Sequence, residues 1–263
     1  MKNIAIIGCG NLGLSIVEGL LDDATSEQYH ITATRRNVRP IQHLASRGVT
    51  VTSDNAYAVK EADVIIVAVK PYNVDGILQE ISEYLDASRH TLVSLATGVS
   101  IASIHKQVDE AIAVFRAMPN TATLVKESFT CICHNEASEE QVQTISALFE
   151  GIGRTKIIRE DLMEAATILG ACGIAYALRF IRAMTQGGIQ IGFSAEVASL
   201  IASQTVKGAA ELLLSGDTHP EGEIDKVTTP KGCTIVGLNE MEHAGFSSAL
   251  IKGIVSSFDK IVD

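Results

Sequence analysis

The stretch IAIIGCGNLGLSIVEGLL, residues 4–21, restricts the fold more than any other part of the chain. An apolar run at 4–7 leads into Gly8, Gly10 and Gly13, and the residues that follow repeat their apolar positions with helical spacing. Between a buried strand and a helix, glycines at this spacing have separate duties. Gly8 makes the tight turn, Gly10 lets the backbone approach a pyrophosphate, and Gly13 lets helix and strand pack closely. The first N–H groups of the helix lack intrahelical partners and sit at its positive end, which suits phosphate.

The rest of the first half repeats this strand-then-helix grammar. The runs at 30–34 (HITAT), 49–51 (VTV), 63–69 (DVIIVAV), 91–96 (TLVSLA), 111–115 (AIAVF), 129–133 (FTCIC) and 154–158 (RTKII) alternate with helix-like segments. Apolar, β-branched runs predict strands buried on both faces, and the alternation predicts a doubly wound parallel sheet. Beyond it, two long Ala- and Leu-rich stretches at 161–192 and 194–216 and two shorter ones at 232–243 and 246–261 read as helices. The expected architecture is α/β, with an N-terminal Rossmann-type doubly wound sheet over residues 1–158 and a C-terminal all-helical dimerisation domain over 159–263. So short a helical segment makes a thin core for its apolar surface, which predicts a homodimer or higher homo-oligomer.

Composition narrows the class of partner. The 263-residue chain is 46% hydrophobic and 20% charged, enough for a substantial core, and its formal net charge of −10 speaks against nucleic acid or an anionic membrane. No apolar run approaches the ~20 residues of a membrane helix, and the N-terminus has no apolar signal segment. The expectation is a cytoplasmic protein with no membrane partner. Cys9, Cys131, Cys133, Cys172 and Cys233 are odd in number and scattered, resembling neither a disulfide framework nor a metal site. No metal is expected. Cys131 and Cys133 fall on one face of a strand, as buried reduced thiols do.

Three strand ends add chemistry to the glycine loop. An NAD-preferring site places Asp or Glu at the end of the second strand; TATRRN has Thr34, Arg35 and Arg36 there, guanidiniums suited to a 2′-phosphate, which favours NADP(H). VIIVAVKP brings Lys70 and Pro71 to the edge where such sheets bind ligands, with Pro71 suited to a first helical turn. RAMPNTAT makes a turn that presents the Asn120 amide and Thr121 hydroxyl towards the same edge. Near the C-terminus, Thr228, Thr229 and Pro230 precede Lys231, Gly232, Cys233 and Thr234 and then a helix. A hydroxyl-rich loop entering a helix suits a carboxylate, and equally suits an N-cap with no ligand.

Taken in order, IGCGNLG, VIIVAVKP, RAMPNTAT, HPEGEIDKVTTPKGCTI and GFSSALI resemble the pyrroline-5-carboxylate reductase family over nearly the whole chain. The resemblance implies a Rossmann domain followed by a helical domain that interlocks with a second subunit, the nicotinamide and substrate meeting between the domains. It implies cofactor contacts at Gly8, Cys9, Gly10, Asn11 and Leu12, at Asn55, and at Ala68, Val69, Lys70 and Pro71; within the loop, Cys9 and Asn11 read as backbone donors to the pyrophosphate rather than as reactive groups. It implies substrate contacts at Gly232, Cys233 and Thr234. Two stretches depart from the family. Gly170-Ala171-Cys172-Gly173-Ile174-Ala175-Tyr176 stands where it has S-G-S-G-P-A-Y, and Pro230-Lys231-Gly232-Cys233-Thr234 where it has P-G-G-T-T.

The activity implied is reduction of 1-pyrroline-5-carboxylate, a small imine carboxylate, to L-proline by NADPH, the last step of proline biosynthesis, with NADH as a second acceptable cofactor. A protonated imine is already electrophilic and demands no strong acid from the protein, so Thr234 is expected as the catalytic hydroxyl that orients substrate or relays a proton. Two other readings remain open from the residues. One is an NADP-dependent reductase of another cyclic imine or small 2-oxo acid, motivated by the altered 170–176 stretch; the other is a catalytically idle NADP-binding regulator.

Overall fold

The computed structural model describes residues 2–23 and 26–262. The chain divides into two compact units, the first running to Cys172 and including the last few residues, the second spanning Gly173–Lys260.

The first unit is built on an eight-stranded sheet: β1 (Lys2–Ile7), β2 (Tyr29–Thr34), β3 (Thr50–Thr52), β4 (Val64–Val67), β5 (Thr91–Ser94), β6 (Ala113–Met118), β7 (Ser128–His134) and β8 (Gly153–Ile157). Their order is β3-β2-β1-β4-β5-β6-β7-β8, parallel from β3 to β6. The chain reverses direction between β1's two neighbours, β2 and β4, and a crevice forms outside strand ends at such a switch. The side chains of β1 show why both faces are covered. Ile4 and Ile6 pack on one side with Ile16, Val17 and Leu20 of α1 (Asn11–Leu21) and Phe149 of α5 (Glu139–Glu150); Ala5 and Ile7 pack on the other with Val59 of α2 (Asn55–Glu61), Leu78 of α3 (Val74–Ile81) and Ile104 of α4 (Ile101–Ile104).

Direction departs from expectation at the far edge. β7 pairs antiparallel with β6, so the sheet is mixed rather than wholly parallel, and β8 then follows β7 in parallel. A hairpin-like return through the turn at 121–125 brings β7 back beside β6, where a parallel pair would need a long crossover. Cys131 and Cys133 do share a face, with Cys133 in the core; burial pushes its thiol up to about 11.

One charge lies inside this core. Arg116 on β6 has a side chain only 3% exposed and donates to Glu160 at 3.1 Å and to Glu164 at 2.8 Å. Glu160 also accepts the N–H of Ile101, the first residue of α4. The two carboxylates flank the start of α6 (Met163–Ala166), which passes through a π-helical turn at Thr167–Cys172 into α7 (Gly173–Gln190).

The second unit is helical: α7, α8 (Ala195–Leu214), α9 (Pro220–Lys226), α10 (Cys233–His243) and α11 (Phe246–Val262). Ser194 caps α8 by accepting from the Val197 N–H. α9 is a helix beyond the four expected from the sequence, started by Pro220 at N1 with His219 accepting at the cap. The α7 and α8 backbones approach closely, since a Cβ at Gly188 would lie 2.9 Å from that of Ala198. By length and composition the stretches Glu160–Gln190 and Ala195–Leu214 are long and apolar enough to cross a membrane. That corrects the expectation that nothing in the chain approaches such a length. Scattered charges such as Arg179 and Lys207 interrupt the apolar runs in sequence without interrupting the helices.

Candidate functional site

A cavity of about 1260 Å³ opens over the carboxyl ends of the strands in the first unit. Gly8, Gly10, Asn11 and Leu12 line it from the glycine loop, and Thr34, Arg35, Arg36 and Asn55 from the β2 side. Ala68, Val69, Lys70 and Pro71 line it after β4, and Met118, Pro119 and Asn120 after β6. Residues as far apart in sequence as Gly8 and Asn120, 112 positions, are thus brought round one space by the parallel strands.

The glycines separate by cause. Gly8 has φ +88°, and a Cβ there would lie 2.3 Å from Val69 Cγ1, so turn and packing both exclude a side chain. A Cβ at Gly13 would lie 3.2 Å from the Gly8 carbonyl and 3.4 Å from Ile6 Cγ2, which is the close approach of helix to strand. Gly10 meets nothing nearer than 3.9 Å. No internal packing demands a glycine there; what its missing side chain leaves clear is the cavity.

The donors of the loop are divided as well. The Gly10 N–H bonds the Gly8 carbonyl at 2.7 Å, and the first bond of α1 runs from Leu14 N to Gly10 O at 2.8 Å. The N–H groups of Asn11, Leu12 and Gly13 keep no protein acceptor among the described residues, as the start of a helix dictates. Cys9 is a correction. Its N–H donates to the Thr34 carbonyl at 2.7 Å, its carbonyl accepts from Arg35 at 3.3 Å, and its thiol is fully buried, so it has no backbone donor to offer a pyrophosphate. Burial raises that thiol to about 11, with Arg35 opposing. Cys9 fastens the loop to β2 instead.

Thr34 and Asn55 tie the same corner. Thr34 Oγ1 accepts from the Gly8 N–H at 3.3 Å and donates to Asn55 Oδ1 at 2.6 Å. Asn55 in turn donates to both carboxylate oxygens of Glu80, each at 3.1 Å. Glu80 comes from α3 and lines the cavity, a carboxylate that the end of β2 itself does not supply. The signal that could have found it is periodic: Asn73, Gly76, Ile77 and Glu80 all line the cavity, at i, i+3, i+4 and i+7.

At the β6 side the Asn120 amide is already committed. It accepts from the Ala122 N–H at 2.9 Å and donates to the Gly170 carbonyl at 3.2 Å, fixing the 121–125 turn against the π-helical turn. That contact places Ala171 on the cavity wall. Lys70, exposed, precedes the short turn of 3₁₀ helix at Pro71–Asn73.

Gly232, Cys233 and Thr234 start α10 in the helical unit. Gly232 is its N-cap, with no side-chain cap bond, and a Cβ there would lie 2.5 Å from Thr229 Oγ1. Lys231 precedes it at φ +60°, a left-handed position that favours glycine. The Thr234 hydroxyl, half-buried, has no protein partner among the described residues. No group of three or more His, Cys, Asp or Glu is placed to hold a metal among the described residues.

A protein of Dictyostelium discoideum named pyrroline-5-carboxylate reductase 2 is 42% identical over 275 residues, covering 98% of this chain and 92% of its own length. The chain belongs to the pyrroline-5-carboxylate reductase family. Another relative from that organism, pyrroline-5-carboxylate reductase 1, is 43% identical over 271 residues, and the chain spans 49% of its length. Residues 160–262 match the family model for pyrroline-5-carboxylate reductase dimerisation, and residues 3–98 one described as NADP oxidoreductase, coenzyme F420-dependent. The solved Plasmodium falciparum pyrroline carboxylate reductase, a structure with NADP bound, is similar with TM-score 0.88 and 25% identity over 98% of this chain and 96% of that one. The enzyme of Coxiella burnetii has the same TM-score at 28% identity, over 99% and 97% of the two chains. The apolar helices at 160–190 and 195–214 therefore fall in a dimerisation region of a reductase family.

Proposed function

We propose that this protein reduces 1-pyrroline-5-carboxylate to L-proline with NADPH, as a homo-oligomer of at least two chains. The observation that carries the reading is the 42% identity, over nearly the whole of both chains, to a relative named for that reaction. The cavity suits the cofactor on its own terms, since Gly10 lines it with no protein atom within 3.9 Å of where a Cβ would lie, leaving room for a ligand to approach the backbone.

The dinucleotide, when bound, supplies the hydride; the rest falls to the protein. The free N–H groups of Asn11 and Leu12 and the positive end of α1 face a pyrophosphate. Arg35 and Arg36 serve a 2′-phosphate, with Thr34 and Asn55 holding the strand end. Ala68, Val69, Lys70, Pro71 and Asn120 form the remaining cofactor wall, Asn120 by fixing the wall rather than by offering its amide. In the helical unit, the N–H groups of Cys233 and Thr234 at the start of α10, without acceptors among the described residues, hold the substrate carboxylate, with Gly232 opening the turn. The Thr234 hydroxyl orients the imine or passes it a proton.

The test is oxidation of NADPH and NADH by the purified protein with pyrroline-5-carboxylate. Turnover with NADPH is expected, and none with either cofactor would overturn the reading. A second substrate class has one observation behind it: Ala171, on the cavity wall, stands in the stretch that departs from the family. A panel of cyclic imines and 2-oxo acids separates the two, and preference for another member would displace proline formation.

A further inference from the structure

The cavity wall expected to take a 2′-phosphate holds both signs of charge. Arg35 and Arg36 supply the positive one, and Glu80 lines the same cavity from α3. No Lys or Arg nitrogen lies within ion-pair distance of the Glu80 carboxylate among the described residues. Arg35, the half-buried member of the pair, directs its guanidinium to the Cys9 carbonyl instead.

What Glu80 does bond is Asn55, through both oxygens at 3.1 Å, and the direction of each bond in that chain is fixed. Asn55 Nδ2 can only donate, so its Oδ1 must face Thr34, whose hydroxyl donates to it and accepts from the Gly8 N–H. Each carboxylate oxygen has two lone-pair directions, and Asn55 takes one from each. The acceptor capacity that remains belongs to an exposed side chain on the cavity-lining face of α3. A carboxylate with spare lone pairs accepts hydrogen bonds from a ribose diol and repels a phosphate in the same place.

Resting on the dinucleotide reading above, we propose that Glu80 determines specificity at the adenosine ribose: it accepts from an unphosphorylated 2′-hydroxyl and opposes a 2′-phosphate. It thereby keeps NADH usable beside two arginines that alone would select NADPH. The residue acts by its charge, over and above the positioning it gives Asn55.

The experiment is calorimetric titration of NADP⁺ and NAD⁺ into the wild-type protein and into Glu80→Gln, whose amide oxygen still accepts from Asn55. The ratio of the NAD⁺ to the NADP⁺ dissociation constant is expected to rise by about fivefold in the variant, a modest figure because the carboxylate is exposed and screened. Its rise should shrink as salt is added. An unchanged ratio, or the same loosening for both dinucleotides, would make Glu80 a prop for Asn55 and overturn the proposal. Wild-type protein that binds neither dinucleotide would remove the cavity reading itself, and the inference with it.

Discussion

Replacing Arg116 by alanine should cost the first unit about 3 kcal/mol of stability. The figure follows from its surroundings. The side chain makes two charge-assisted bonds and is nearly sealed from water, while Glu160 and Glu164 are 37% and 21% exposed. Bonds to partly solvated carboxylates belong at the low end of the usual range, about 1.5 kcal/mol each. The hole left by the side chain adds to the loss. Relief of Arg116 Nε, buried with no partner, subtracts a similar amount. Arg116→Met fills the hole but strands the carboxylates, and should fall between wild type and Arg116→Ala. Arg116→Met combined with Glu160→Gln and Glu164→Gln removes the charges together, keeps an acceptor for the Ile101 N–H, and should recover most of the loss. Urea unfolding at one fixed protein concentration measures it, followed by far-ultraviolet circular dichroism because the chain has no tryptophan. A cost below about 1 kcal/mol for Arg116→Ala, or a triple variant no more stable than it, would refute the argument.

Other consequences can be checked separately. Gly8→Ala meets Val69 and an unfavourable φ and should lower the thermal midpoint, whereas Gly10→Ala should leave the midpoint alone and weaken NADPH binding by at least about tenfold; equal behaviour of the two would contradict the division of duties drawn above. His90 is 3% exposed, accepts the Asp86 N–H at Nδ1, and has its pKa lowered by burial and then by Arg89, with Asp86 opposing. A depressed folded pKa means its contribution is complete above the unfolded value of about 6.5 and is lost as pH falls through the folded one. His90→Asn should therefore flatten the decline in stability between pH 7 and 5, and an unaltered slope would count against it. Thr234→Ala should lower turnover far more than NADPH affinity; an equal loss in both would remove Thr234 from the chemistry.

The strands were legible because their apolar, β-branched runs leave little else for those residues to do in a covered sheet. Strand direction was not, since 129–133 has the same composition whichever way it runs. Nor was the π-helical turn at 167–172, whose Gly170 carbonyl accepts from Asn120, fifty positions away. The glycine loop could be read to the level of individual duties. Cys9 could not, because nothing local reveals that Thr34 takes its N–H. Glu80 was hidden for a related reason. Motif spacing looks for a carboxylate at the tip of β2, and here it arrives from the side, on α3, with β3, α2 and β4 in between.

The helical unit has a thermodynamic consequence. Within a single chain, α8 buries only Ala198 and Ala202, and α7, α10 and α11 bury nothing fully; Leu200 and Ile191 remain 70% and 78% exposed. Apolar side chains left in water contribute little to holding a helix together. In a dimerisation region, covering them is a bimolecular event, so part of the free energy that folds this half scales with the logarithm of protein concentration. Dilution then acts on it as a denaturant does.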